Sequence, residues 1–408
     1  MSAIDRHRAD TASPSELVSR GDIRDRLFAA THRAAYLGRS YLRPFVRLRV
    51  PVASVTGAAA GSGEQRTVVV AGWKNSVAYF IHRFFSEFDR PRPVRAVPLF
   101  RLPGVLNDLR SHADMVLARV PGPGSRWLFD SSYLRLPEAV EARLAVPSDL
   151  EDLADASTRA RRNIARVRNN GLSWSISRDV RDFEVFYEDY YLPFLSQRYG
   201  DIPEVIDKAS LRRTFRRGCL LWVAKGKTPV SAALLEPEGP VLHYRVMGAR
   251  DDVFDPVKTG ALSAIYLFGA QCALEHGIRW FDLGYSKSSP YDGVLSHKGS
   301  WGARVYCPWH VDHDLVISWS RLERDIADFL HRTPLIVRDN NGLSVVTAKP
   351  PDSAGSADSI GRKAAFPGLS RIYVLGSSPG SDPEREEAST AQVVAIAGGL
   401  PGDCHLSR

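Results

Sequence analysis

Asp282, His297 and Lys298 are side chains whose type and setting suit proton transfer or charge stabilisation in this 408-residue chain. Asp282 lies late in the apolar run from Ile278 to Leu283, directly before Gly284. On a strand period of two it shares a face with Ile278 and Trp280, opposite Phe281 and Leu283. A carboxylate in such a strand is costly unless paired. It reads as a general base, as an orienter of a substrate amine, or as the partner of a cation such as Lys298 or Arg245. His297 is a candidate acid–base group, because imidazole changes charge near neutral pH. Lys298, taken alone, reads as a solvated loop residue.

Two further groups could line a site. His243 and Arg245 alternate on one face of the run from Val241 to Met247, as either a polar wall or a solvated face. Tyr285, Ser286, Lys287, Ser288 and Ser289 follow the Asp282 strand as a polar loop, a candidate binding edge. His310, Asp312 and Asp314 would share one strand face with His313 opposite. That is a poor chelating set, and no metal centre is expected.

The elements that must hold these residues follow from patterning. Residues 1–63 read as a partly helical extension ending in the flexible run Gly57 to Gly63. Residues 64–150 read as a small α/β domain. Thr67–Ala71 is a buried strand, and Val77, Phe80, Ile81, Phe84 and Phe88 recur as one helical stripe that Asn75 or Ser76 can cap. Val94–Phe100, Met115–Val120 and Arg126–Phe129 are further strand candidates. Residues 151–348 form a second domain. It opens with an arginine-rich helix (Arg159, Arg161, Arg162, Arg166, Arg168) stopped by Gly171, and a second aromatic-faced helix broken at Pro193 follows. Leu220–Ala224, Val230–Leu235 and Val241–Met247 then form an antiparallel meander with tight turns. A helix from Ala261 to His276 leads into Ile278–Leu283, which reads as a right-handed crossover to a parallel strand. A strand near Val305–Val311 and a helix near Leu322–Leu330 complete that domain. Residues 349–408 turn to Pro, Ser, Gly and charge, and are expected to be disordered.

Composition is ordinary, with 44% hydrophobic and 25% charged residues, and the net charge of +8 favours anionic partners. Cys219, Cys272, Cys307 and Cys404 show no paired spacing and read as free thiols. No window reaches the ~20 apolar residues of a membrane span, and the first residues hold no apolar signal run. A cytoplasmic protein is expected, with loose attachment to a membrane surface left open. The basic residues are dispersed, without an aromatic-and-basic motif that would mark a general nucleic-acid binder.

The order of elements over residues 151–348 resembles the GNAT acyltransferase fold, an α/β fold built on a mixed sheet. Three stretches narrow the resemblance to its FemAB-like and BioF2-like branch: Arg161 to Gly171 (RRNIARVRNNG), Ala270 to Gly284 (ending W-F-D-L-G), and His297 to Gly302 (HKGSWG). The resemblance covers roughly half the chain, and it implies that residues 64–150 could be a degenerate GNAT half.

The function so implied is transfer of an acyl group to an amine by direct attack, with no covalent enzyme intermediate. In this fold the donor enters where the parallel strands part, and its pyrophosphate rests on the start of the crossover helix. That place spans the loop from Gly248 and Arg250 to Lys258, Thr259 and Gly260. Aligning the family's R/Q-x-x-G-x-G/A run on Gly260 puts Val257 and Leu262 at its other positions, so both an acyl-CoA (acetyl-CoA included) and an aminoacyl-tRNA stay open as donor. The acceptor would be a small-molecule or cell-envelope-precursor amine. The resemblance makes Lys298 an oxyanion or phosphate stabiliser and makes His243, Arg245, Tyr285, Ser286 and Trp301 substrate contacts. The alternative is a non-catalytic GNAT-fold module that binds an anionic ligand or a protein partner.

Overall fold

The computed structural model describes residues 49–199, 205–250, 255, 258–308, 312–340, 342–350, 356–376 and 392–396. The chain begins with β1 (Arg49–Ala59), β2 (Gln65–Ala71), α1 (Asn75–Phe84), β3 (Phe85–Phe88), β4 (Arg92–Pro98), α2 (Leu102–Arg110), β5 (Met115–Pro121), α3 (Gly122–Leu128), β6 (Leu134–Pro137) and β7 (Val140–Ala145). There follow α4 (Thr158–Asn169), β8 (Leu172–Ser177), α5 (Val180–Val185), a π-helical turn (Phe186–Tyr191), α6 (Leu192–Tyr199) and α7 (Lys208–Phe215). The central run is β9 (Cys219–Lys225), β10 (Thr228–Glu238), β11 (Val241–Ala249), α8 (Ala261–Glu275), β12 (Trp280–Ser286), α9 (Gly293–Ser300) and β13 (Arg304–Tyr306). The chain continues through β14 (His313–Trp319), α10 (Arg324–Arg332), β15 (Leu335–Asp339), β16 (Gly342–Ala348), α11 (Ala357–Ala364), β17 (Arg371–Leu375) and β18 (Gln392–Ile396).

The molecule is thus mixed α/β, and the described residues divide into two compact units. One holds Ala142–Gly284 and His297–Arg304; the other holds the stretches up to Glu141, Tyr285–Ser296 and from Val305 onward. In the first, a sheet runs β13-β7-β12-β11-β10-β9-β8. Strands β8 to β11 pair antiparallel, with left-handed turns at Gly226 and Gly239. α8 then carries the chain across to β12, which pairs parallel with β11. This is the GNAT order that the resemblance implied. α8 is buried nearly all round. Phe281 fills the place where a side chain on Gly269 would stand, and Phe268 stacks on Trp174 at 6.3 Å between ring centroids. Residues 186–191 bulge as a π-helical turn, and Pro193 sits in the opening turn of α6 rather than breaking a helix.

The second unit has a sheet ordered β3-β1-β2-β5-β14-β6, with β4 also on β1, and a smaller sheet β15-β16-β17-β18. Several expectations fail here for identifiable reasons. The run through Gly57 is not a flexible link but part of β1, where Gly57 is needed because the Phe88 and Glu87 backbone crosses it. The helical stripe ends at Phe84, since the chain turns extended at Phe85 to pair with β1, so Phe88 lies on β3. Neither Asn75 nor Ser76 caps α1; Lys74 holds that position, and Ser76 donates to Glu138 instead. Arg126–Phe129 is not a strand, because Gly122 and Pro123 open α3 there.

β14 and α10 leave the crossover unit and join this one: β14 pairs with β5 and β6. Hydrogen-bond partners at that sequence distance are not written in a local pattern. Residues 356–376 and 392–396 correct the expectation of a disordered tail, since α11, β17 and β18 complete the smaller sheet by parallel pairing. The remainder of 351–408, and the helical part expected before residue 49, lie outside the described residues. Among the described residues no helix is long and apolar enough to cross a membrane.

Gly269 gives a direct test of the α8–sheet packing. Alanine has the better helix propensity by about 1 kcal/mol. Even so, Gly269→Ala is expected to destabilise by about 1–3 kcal/mol through overlap with Phe281. Urea denaturation should show the loss, and Phe281→Leu in the same chain should recover part of it.

Candidate functional site

The parallel ladder between β11 and β12 pairs Val241 with Trp280, Leu242 with Phe281, and His243 with Asp282. Alternation turns Phe281 and Tyr244 toward α8, where Tyr244 meets Tyr266 edge-on at 6.1 Å. His243 and Asp282 therefore stand side by side on the opposite face. Their side chains join there: His243 Nδ1 lies 2.8 Å from Asp282 Oδ2, and both residues are buried. Burial alone would raise the Asp282 carboxyl. The His243 hydrogen bond and charge, the Gly284 N–H and the Arg143 guanidinium outweigh it and hold the group below the usual carboxylate value. An ionised carboxylate only accepts, so Nδ1 carries the hydrogen of that bond. Nε2 faces Glu238 Oε2 at 3.5 Å.

The row extends across the sheet. Arg143 on β7 lies 3.9 Å from Asp282. On the other side, Glu236 of β10 stands opposite His243 and takes Arg245 Nε at 2.8 Å and Arg217 Nε at 2.6 Å. A bulge at Arg245 lets it reach Glu236 from the His243 face.

Beyond His243 and Asp282 the ladder stops, although β11 runs on to Ala249 and β12 to Ser286. The cause is Gly284, whose left-handed backbone (φ +73) ends regular pairing beside the Tyr244 carbonyl. The Gly284 peptide is gripped twice: Asp282 Oδ1 accepts its N–H at 2.8 Å, and Lys298 Nζ donates to its carbonyl at 2.8 Å. The β11 backbone past Tyr244 is therefore outside the β12 ladder.

At the start of α8, Gly260 is left-handed (φ +80), and no side chain caps the helix. The Arg166 stem from α4 packs against the bare face of Gly260. Thr259 does not cap, since its hydroxyl donates to the Asp255 carbonyl at 2.8 Å. Lys258 is exposed and pairs with Asp255 at 3.5 Å.

No family model and no curated protein matches the sequence. Among solved structures the chain is similar to L-PGS from Bacillus licheniformis, at 13% identity and TM-score 0.34, covering 65% of this chain and 84% of that one. It is similar to FemX at 12% identity and TM-score 0.35, covering 65% and 84%. It is also similar to a GCN5-related N-acetyltransferase from Kribbella flavida at 11% identity and TM-score 0.28, covering 74% and 68%.

Asp282, His243 and Lys298 thus meet around one strand end, while other expected residues take different places. Lys298 is buried, not solvated, and its ammonium fastens β12. His297 stacks on Tyr266 at 5.3 Å between centroids, with Trp301 edge-on to both. Trp301 is fully buried, which corrects its reading as a substrate contact; its indole N–H has no hydrogen-bond partner. Gly248 is explained by packing, because a Cβ there would stand 2.5 Å from the Tyr190 backbone. The Arg250 N–H donates to the Val230 carbonyl. Tyr285 is exposed, and Ser286 is buried with its hydroxyl unpartnered. His310 lies outside the described residues.

Arg143, Glu236 and Glu238 escaped sequence reasoning. The first sits in a strand between domains as the sequence divides them, and Glu236-Pro237-Glu238 reads as turn. The paired signal was charge at alternate positions, Glu141 with Arg143 and Glu236 with Glu238.

Because the Asp282 carboxyl titrates lower in the folded chain than in the unfolded one, its ionised form stabilises the fold above the ordinary carboxylate value. That contribution is lost as pH falls through the lowered value. Asp282→Asn should cost about 1.5–3 kcal/mol at neutral pH. The gap to the parent chain should shrink as the medium is acidified below the usual carboxylate range, as read from urea midpoints across pH.

Proposed function

We propose that the chain is an N-acyltransferase in which His243 is the general base and Asp282 orients it. The observation that carries this reading is the buried His243–Asp282 pair at the point where the parallel strands part. An amine acceptor arrives as an ammonium and must lose a proton before it can attack. Glu238, 63% exposed at its side chain and 3.5 Å from His243 Nε2, can draw that ammonium in. His243 Nε2 then takes the proton, and the imidazolium is stabilised through Nδ1–H by the Asp282 carboxylate. The freed nitrogen bonds to the acyl carbon, the bond to the leaving sulfur or oxygen breaks, His243 returns its proton to the leaving atom, and the second proton of the acylated nitrogen is lost to solvent. Asp282 itself, held ionised, is the weaker base; its part is to fix the ring.

The residues also suit an extended, anionic acyl donor. β11 past Tyr244 has a backbone edge outside the β12 ladder, along which an extended arm can lie and whose N–H groups can face a developing oxyanion. The uncapped start of α8, with Arg166 alongside Gly260, suits an anionic end. Both an acyl-CoA and an aminoacyl-tRNA meet these requirements, and a small-molecule or envelope-precursor amine remains the acceptor class. The uncharged state of the reactants is reached by proton transfer alone, so the steps above call on no metal.

His243→Gln and Asp282→Asn should each lower the turnover of amine acylation by about 10²–10⁴-fold with donor affinity kept. This is measured by following acyl transfer alongside calorimetric titration of acetyl-CoA, longer acyl-CoA and charged tRNA. Unchanged turnover in both variants, or no binding of any donor class, would overturn the enzyme reading in favour of a binding module. Gly260→Ala should do the reverse, weakening the donor with little change in turnover, because a left-handed alanine costs about 1–2 kcal/mol and crowds Arg166.

A further inference from the structure

The second unit carries exposed aromatic residues beside arginines. Phe100 is 55% and Trp127 67% exposed, with Val94 also exposed. Topology brings Phe100 and Trp127 to one layer. α2 and α3 cover the same face of the sheet: Leu102, Leu106 and Phe129 share a core with Val69, Val116 and Val120. The Tyr133 hydroxyl, just past α3, donates to Asn107 of α2 at 2.8 Å. α2 precedes β5 and α3 follows it, and both pack on this one core. Phe100, directly before α2, and Trp127, on α3, therefore project from the outer side of a single layer.

Arginine dominates the charge around them, although Asp89 pairs with Arg92 at 3.0 Å and Asp108 and Asp130 flank the two segments. Residues 90–107 hold Arg90, Arg92, Arg95 and Arg101 without an Asp or Glu, and residues 122–129 hold Arg126 without one. Arg90, Arg92, Arg95, Arg101 and Arg126 are exposed. Pro91, Pro93, Pro98 and Pro103 stiffen the segment. The fold thus gathers basic and aromatic residues that are scattered along the chain.

We propose that this patch docks the chain on an anionic phospholipid surface. Tryptophan and phenylalanine can sink apolar bodies to headgroup depth, while arginines around them are drawn to acidic headgroups. The net charge of +8 adds to that attraction. Single-stranded nucleic acid is the weaker fit, because stacking needs a free ring face, and the Arg101 guanidinium already lies 5.7 Å over the Phe100 ring. The inference rests on the second unit and is independent of the acyl-transfer reading.

The test is sedimentation of the full chain with vesicles of phosphatidylcholine, with and without phosphatidylglycerol, in the absence of any donor or acceptor. Binding should require phosphatidylglycerol and weaken with salt. Phe100→Ser with Trp127→Ser should reduce it about tenfold, and each of Arg95→Glu, Arg101→Glu and Arg126→Glu by about fivefold or more. These side chains are exposed, so circular dichroism melts should match the parent chain, which separates lost docking from lost folding. The proposal is overturned by absent binding at low salt, by variants that bind as the parent does, or by single-stranded RNA binding more tightly than the vesicles and being lost with the same substitutions.

Discussion

The buried carboxylate of Asp282 is the constraint around which the first unit is arranged. An ionised group in a strand interior is tolerated only if its acceptor sites are filled. Here one oxygen meets His243 and the other meets the Gly284 N–H, with the Arg143 guanidinium nearby. Each partner fixes a different piece of structure. His243 requires β11 and β12 to lie parallel and in register, which requires a crossover of the length of α8. Gly284 must be left-handed to turn its N–H back onto Asp282, and that turn is what ends the strand ladder. Arg143 draws β7 to the far side of β12. The same pairing that makes Asp282 affordable in the core leaves an imidazole nitrogen facing Glu238 and a backbone edge outside the β12 ladder beside it.

The division of labour between Asp282 and Lys298 follows from this. Asp282 was a candidate for chemistry on its type and setting and Lys298 through the resemblance, yet both hold the same peptide unit, Gly284, from its two ends. A lysine buried against a carbonyl stabilises strand geometry, and His243 is the proton acceptor we propose. The proposed mechanism rests on the pair His243 and Asp282, with Lys298 securing the strand end beside that pair.

Much of the crossover unit was legible in the sequence because its determinants are local. The turns at Gly226 and Gly239, the helical run from Ala261 and the apolar strand around Phe281 each carry their own period or turn residue. So did the face on which Asp282 lies, since alternation by two fixes it. What could not be read is what depends on pairing across the chain. β14 looks like any buried strand, and its place between β5 and β6 is set by long-range ladders. Arg143 and Glu236 became part of the site only when β7 and β10 were placed on either side of the β11–β12 pair. The tail misled for another reason: the Ser- and Gly-rich composition around Ala357 and Arg371 describes turns between short elements, and their order comes from parallel pairing with β16 rather than from propensity.

Gly284 shows how one residue can join fold and chemistry. A side chain there would be strained by the positive φ and pressed against the Tyr244 carbonyl at 3.2 Å. Relieving that strain means rotating the peptide toward extended geometry, which moves the N–H away from Asp282 and the carbonyl away from Lys298. The freed carboxylate oxygen would then be buried without a partner, and its hold on the imidazole would change with it. The ladder between β11 and β12 could also lengthen by the next residue, closing the backbone edge at Tyr244. A single rotation would thus remove the orientation of His243 and the opening beside it together, which is why glycine at this place belongs to the site as much as to the fold.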